Sequence, residues 1–152
     1  MRLREELRLR DARAPARARP ARSLPGPSPE LRRSQPLNKR SAGTWGEELA
    51  LRYLTQKGYE LVERNYRTRF GEIDLILRYG NTIVFTEVKL RRGTGFGSPL
   101  DAVTARKQAA IRSLAERYLA QKEPDFDTVR FDVVGILVRE GTPRLIHVPD
   151  AF

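Results

Sequence analysis

Cysteine is absent from this 152-residue chain, and histidine, methionine and tryptophan each occur once. Without cysteine there is no disulfide framework, no thiolate nucleophile and no zinc–thiolate site, which agrees with a reducing, cytoplasmic setting. The lone histidine, His147, stands near the C-terminus and reads as structural. No apolar run approaches the ~18 residues that a membrane-spanning helix needs. The N-terminus also lacks the apolar stretch of a secretory signal. No second methionine marks a later translation start.

Positive charge is what the chain has in excess. The formal balance is +10 and it is uneven: residues 1–40 hold twelve Lys or Arg against four Asp or Glu, a net +8, which leaves +2 for the other 112 residues. An arginine-rich arm of this kind binds polyanions, nucleic acid foremost. An unstructured tail with no selected role is the equal alternative. Glu5, Glu6 and Asp11 interrupt the basic run and disfavour a transit peptide. Pro15, Pro20, Pro25, Pro27, Pro29 and Pro36 forbid a long helix beyond about Ala14 and favour extended chain. The sequence therefore divides into a disordered Arg/Pro/Ala-rich arm, residues 1–40, and one globular domain, residues 41–152.

Within that domain, Trp45 to Lys57 has a helical pattern, with Leu49, Ala50, Tyr53 and Leu54 on one face and Gly58 as terminator. Tyr59 to Tyr66 reads as a strand, followed by a turn through Arg67 to Gly71. The runs Glu72–Leu77 and Ile83–Leu90 are the next two strands. A glycine-rich loop, Gly93–Gly97, lacks the Gly-Lys-Ser/Thr ending of a nucleotide-binding loop and reads as a segment that closes over substrate. Ser98-Pro99-Leu100-Asp101 then offers a cap serine, a first-turn proline and an acid, opening a helix expected to reach about Gln121. Val129–Val138 and Leu145–Val148 are the last strands. Helix, three strands, helix and two strands predict an α/β fold with a mixed sheet flanked by helices.

Between the second and third strands lies Tyr79-Gly80-Asn81-Thr82, and a Gly-Asn pair between β-rich runs marks a tight hairpin. Pairing Tyr79 with Thr82 sets Asp74 across from Glu87 and Glu72 across from Lys89. Opposed residues have Cβ atoms roughly 4.5–5.5 Å apart, and two carboxylates at that separation repel unless a proton or cation lies between them. Strand alternation puts Glu72, Asp74, Glu87 and Lys89 on one face. Hard oxygen ligands of this sort suit Mg²⁺ or Mn²⁺, and a lysine beside the cation can serve the attacking water. That set suffices for phosphodiester hydrolysis. An ordinary Glu72–Lys89 ion pair with the other two acids at a solvated sheet edge is the bland alternative. The apolar flanks of Asp74 and Glu87 argue for burial, and buried acids need partners.

The motif Asp74, twelve residues, then Glu87-Val88-Lys89 resembles the core of the PD-(D/E)xK nuclease superfamily, which includes restriction endonucleases and Holliday-junction resolvases. Gly46-Glu47, Gly58-Tyr59, Arg64-Asn65-Tyr66-Arg67, Gly71-Glu72-Ile73-Asp74-Leu75-Ile76 and Phe85-Thr86-Glu87-Val88-Lys89, with Arg91, are similar to the bacterial YraN-type family. So are Phe96-Gly97, Lys107 and Arg130-Phe131-Asp132-Val133-Val134, and the likeness runs from about Ser41 to Val138. The resemblance implies a restriction-endonuclease-like αβββαβ core, a metal held by Asp74, Glu87 and the Val88 carbonyl, and Lys89 as catalytic lysine. It also matches Glu47 to an acid on the first helix. Thr44-x-x-Glu47 fits a capping box equally in pattern, so Glu47 keeps two readings. Ile73 stands where the superfamily name expects proline.

Arg67 and Arg69 in the turn before Gly71, and Arg91, Arg92 and Arg106 around the glycine-rich loop, are candidates to track a phosphate backbone. Lys107 either lays its stem over the core or contacts a phosphate or carboxylate. Tyr66 and Phe96 are either base-stacking or core aromatics, and Asp132 is expected to pair with an arginine. The expected function is a metal-dependent nuclease acting on DNA, branched or structured forms included, with Glu47 and Glu72 in support. The rival is a non-catalytic nucleic-acid-binding module that keeps the fold, and action on RNA ranks third. Symmetric cutting of both strands would favour a homodimer.

Overall fold

The computed structural model describes residues 39–93 and 97–152. Most of the basic arm, and residues 94–96 of the glycine-rich loop with Phe96 among them, lie outside the described residues. The elements are α1 (Lys39–Gln56), β1 (Glu60–Thr68), β2 (Gly71–Tyr79), β3 (Thr82–Arg92), a 3₁₀ turn (Pro99–Ala102), α2 (Ala105–Lys122), β4 (Thr128–Arg139) and β5 (Thr142–Val148). The sheet order is β1-β2-β3-β4-β5, antiparallel throughout except for β3 and β4. The αβββαβ order is present, with β5 as one strand more. No helix among the described residues is long and apolar enough to cross a membrane.

Alternation along the strands builds two cores. Ile76, Ile83, Phe85 and Val133 pack against Ile111, Leu114, Tyr118 and Leu119 of α2. Leu75, Leu77, Val84, Val134 and Ile136 pack against Trp45, Leu49 and Leu54 of α1. Strands buried on both faces read as near-continuous apolar runs, as β2 and β3 do. Each fully buried Leu, Ile or Phe of this kind contributes roughly 1.5–3 kcal/mol. β3 and β4 run parallel from Thr82↔Thr128 to Arg92↔Val138, a pairing that requires a crossover, and α2 supplies it.

Two helix starts differ from the sequence expectation. α1 already includes Lys39, so Thr44 lies inside the helix, where its hydroxyl donates to the Arg40 carbonyl at 3.3 Å. Ser98 does cap, in a reciprocal arrangement with Asp101, but the helix it opens is a single 3₁₀ turn. Val103 is extended (φ −110°, ψ 93°), and Thr104 caps α2 by accepting the Lys107 N–H. At the other end of α1, Gly58 takes φ +93°, a conformation that costs a side-chain-bearing residue, and the chain turns there into β1.

Asp132 pairs with arginine, as expected. Arg130 grips both its oxygens at 2.8 Å, His147 Nε2 lies 2.7 Å from Oδ2, and the Asp150 N–H donates at 3.1 Å. Burial pushes the Asp132 carboxyl up, but the His147 and Arg130 contacts outweigh it and hold the group below the usual carboxylate range. The His147 side chain is buried in this network, with Tyr53 and Tyr59 edge-on to its ring.

Candidate functional site

β2 and β3 pair in the expected register from Tyr79↔Thr82 to Leu75↔Thr86, and the regular ladder stops there. In place of a further rung, the Asp74 carboxylate accepts the Val88 N–H at 2.7 Å. The two strands part at this point, which leaves Asp74 and Glu87 as neighbouring buried acids, 8% and 3% exposed. Burial and the Glu87 charge push the Asp74 carboxyl from 3.8 up to about 7 against the opposing Val88 N–H, with Glu47 and Glu72 adding smaller upward pushes. Glu87, Glu47 and Glu72 thus all act electrostatically on Asp74.

Glu87 is unevenly satisfied. Its Oε1 lies 2.8 Å from Lys89 Nζ and 3.7 Å from Lys107 Nζ. Its Oε2 is buried and has no hydrogen-bond partner among the described residues. A buried carboxylate oxygen left bare costs about 1–3 kcal/mol or more, so the arrangement is suited to something that fills the gap. Among the described residues no three His, Cys, Asp or Glu side chains form a closed metal cage. Mg²⁺ does not need one, since it binds through one or two carboxylates and keeps water or phosphate in the remaining positions. The donor set of Asp74 and Glu87 Oε2 fits such an ion.

The other expected site residues fall into place unequally. Glu47 is half-buried and is no capping-box partner, because Thr44 is not the start of its helix. Glu72 does not cross to Lys89. Having parted from β3, this stretch of β2 pairs with β1, and Glu72 Oε2 accepts from Arg67 Nε at 2.8 Å. This bridge is exposed and contributes about 0–1 kcal/mol. Lys107 makes the carboxylate contact. Val88 reaches the site through its N–H bond to Asp74. Arg91 and Arg92 are exposed at the end of β3, and Arg106 is exposed at the start of α2. Tyr66 is a core residue: it is buried, its hydroxyl lies 3.1 Å from Gln121 Oε1, and its ring meets Tyr118 edge-on.

Two residues were missed. Gly135 lies beside Lys89 in the parallel ladder, and a Cβ there would come within 2.4 Å of Pro99 Cγ. The bare glycine lets the 3₁₀ turn lie down next to the lysine. Gly135→Ala should therefore destabilise the protein by ~1–3 kcal/mol in urea denaturation; an unchanged midpoint would mean that Pro99 yields freely. Phe70, the second, sits half-exposed on the β1–β2 turn. Arg67 and Arg69 beside it were the sequence signals at this turn.

A five-stranded mixed α/β sheet that gathers two buried acids and two lysines where β2 and β3 diverge defines the class of molecule. The chain belongs to the uncharacterised protein family UPF0102, whose model matches residues 46–136. This is the YraN-type family that the sequence motifs pointed to. It is similar to UPF0102 proteins of Rhodococcus opacus (strain B4), 50% identical over 72% of this chain and 94% of that one, and of Rhodococcus jostii (strain RHA1), 52% identical over the same shares. The UPF0102 protein of Syntrophomonas wolfei is 49% identical over 74% of this chain and 98% of its own. Among solved structures, SfsA of Pyrococcus furiosus in complex with Ca²⁺ matches 73% of this chain and 63% of that one at 11% identity. The TM-score of that match is 0.29.

Proposed function

We propose that this protein is a Mg²⁺- or Mn²⁺-dependent nuclease that hydrolyses phosphodiester bonds in DNA. The observation that carries the reading is Glu87 Oε2, buried and unpartnered among the described residues, beside an Asp74 carboxyl whose pKa burial and charge hold near 7. Asp74 and Glu87, with the Val88 carbonyl, would hold the cation. Bound there, it would supply positive charge to the phosphate and a lowered pKa to coordinated water. Lys89, with its ammonium 2.8 Å from Glu87 and about a third exposed, faces both the acids and solvent. It orients the attacking water and offsets charge that develops on the phosphoryl oxygens as the new P–O bond forms and the ester P–O bond breaks. Lys107 stands by the same Glu87 oxygen as Lys89, at 3.7 Å, and lines the groove beyond it. Glu47 tunes Asp74 from α1, whereas Glu72 acts at longer range while bound to Arg67.

One observation favours a non-catalytic nucleic-acid-binding module instead. Lys89 and Lys107 together already neutralise the charge of Glu87 without a cation. Calorimetric titration of Mn²⁺ and Mg²⁺ separates the two readings. Saturable binding that is lost in both Asp74→Ala and Glu87→Ala, followed by cleavage of linear, flapped or branched DNA, supports the nuclease. No binding, even with a non-cleavable DNA present to complete the coordination shell, sinks it in favour of the binding module.

A further inference from the structure

Phe70 is an anomaly in a well-packed domain. Its side chain is 51% exposed at the tip of the β1–β2 turn, and its N–H is tied to Thr68 Oγ1 at 3.0 Å. Two guanidinium groups attend the ring: Arg69 lies 4.6 Å from its centroid, and Arg117, reaching across from α2, lies 4.2 Å away. A groove of about 270 Å³ begins at this ring and passes between the start of β2 and the first half of α2. Its floor is apolar (Ala110, Ile111, Leu114), and Arg106 and Lys107 stand on its wall with Glu72, whose carboxylate is paired with Arg67. Lys107 is also the residue that contacts Glu87, so the groove connects the exposed ring with the acidic cluster.

An exposed aromatic flanked by cations, opening on an apolar floor with a basic wall, matches the chemistry of one nucleotide unit. Both guanidinium groups lie over the ring, so a base takes the place of one of them there and leaves it to meet a phosphate beside the lysine. A base inside a continuous duplex has both faces occupied by its neighbours and cannot lie on such a ring. We infer that Phe70 is a stacking platform for an unpaired base, so that the preferred DNA carries a single-stranded nucleotide beside the phosphate held at the acidic cluster. The inference rests on the nuclease reading for what happens at the cluster, but binding at Phe70 needs no chemistry. The groove then selects single strands, flaps or junction arms over uninterrupted duplex.

The test is equilibrium binding of fluorescently labelled single-stranded and duplex oligonucleotides of one sequence to the full chain, with EDTA present. Wild type, Phe70→Ala, Phe70→Leu and Phe70→Tyr are compared. Because the ring is half in solvent, these variants should keep the fold. Phe70→Ala and Phe70→Leu should weaken single-strand binding by roughly 5–100-fold, leave duplex binding within about twofold, and keep the salt dependence of binding. Phe70→Tyr should restore wild-type affinity. Equal losses on both DNAs, or no loss, would overturn the inference. So would a loss of self-association in sedimentation with DNA binding intact, because the ring would then serve a second copy of the chain. Mn²⁺ calorimetry on the same variants keeps the two readings apart. Metal binding with an indifferent Phe70→Ala removes the platform alone, and a strand-selective Phe70 in a protein that binds no metal removes the nuclease alone.

Discussion

In the metal-free protein, Asp74→Asn should raise the thermal midpoint at pH 8 by roughly 5–15 °C while leaving it nearly unchanged at pH 4. The sign follows from proton binding. The Asp74 carboxyl titrates near 3.8 when unfolded and near 7 when folded, for reasons of burial first and the Glu87 charge second. Between those values the native state holds a proton that the unfolded chain has released, so stability falls as pH rises across the window. Above pH 7 the full cost is present, up to ~4 kcal/mol for a shift of this size. Asparagine keeps an oxygen to accept the Val88 N–H and removes the charge, so the variant escapes the loss. Mn²⁺ should restore the wild-type midpoint at pH 8 and do little for the variant, since a bound cation offsets the same repulsion. Identical pH profiles for wild type and Asp74→Asn would mean that the carboxylate is comfortable as an anion and that no cation is called for.

The part of this site that was legible in the sequence is the part governed by local rules. Gly80 and Asn81 fix a two-residue turn, and counting back from it pairs Tyr79 with Thr82 and Leu75 with Thr86, which sets Asp74 and Glu87 next along the two strands. Extending that register to Glu72 and Lys89 failed because the ladder ends at Leu75↔Thr86, and nothing local announces where two strands diverge. The Ser98 cap forms as expected, but the length of the helix behind it was misread for a related reason. Ser98 and Thr104 are both competent, and the choice between them depends on whether Pro99 can lie on Gly135, a contact across more than thirty residues of chain. Phe70 was unreadable as a site because its neighbours on the ring come from its own turn and from the middle of α2. Tyr66, the aromatic the sequence offered as a stacking candidate, proved to be held by Gln121 at the far end of the same helix.

Lys89→Ala should lower DNA cleavage by roughly 10²–10⁴-fold while leaving Mn²⁺ binding intact and DNA affinity within about twofold. The expectation rests on an asymmetry between the two lysines at Glu87. Lys89 Nζ lies 2.8 Å from Oε1, on the same strand and two residues away, where alternation fixes its direction. Lys107 Nζ stands at 3.7 Å and belongs to a helix that lines the groove beside the acids. Removing Lys89 therefore takes away the group that orients water and meets charge as it develops, a loss confined to the transition state and visible in kcat rather than KM. Removing Lys107 loosens a ground-state contact, so Lys107→Ala should raise KM more than it lowers kcat. Lys89→Arg keeps the charge but spreads it over a planar fork that cannot occupy the same point, and it should recover little of the lost rate. If Lys89→Ala cleaved at the wild-type rate, the lysine would be a neutralising partner of Glu87 and nothing more, and the case for hydrolysis at this cluster would fall with it.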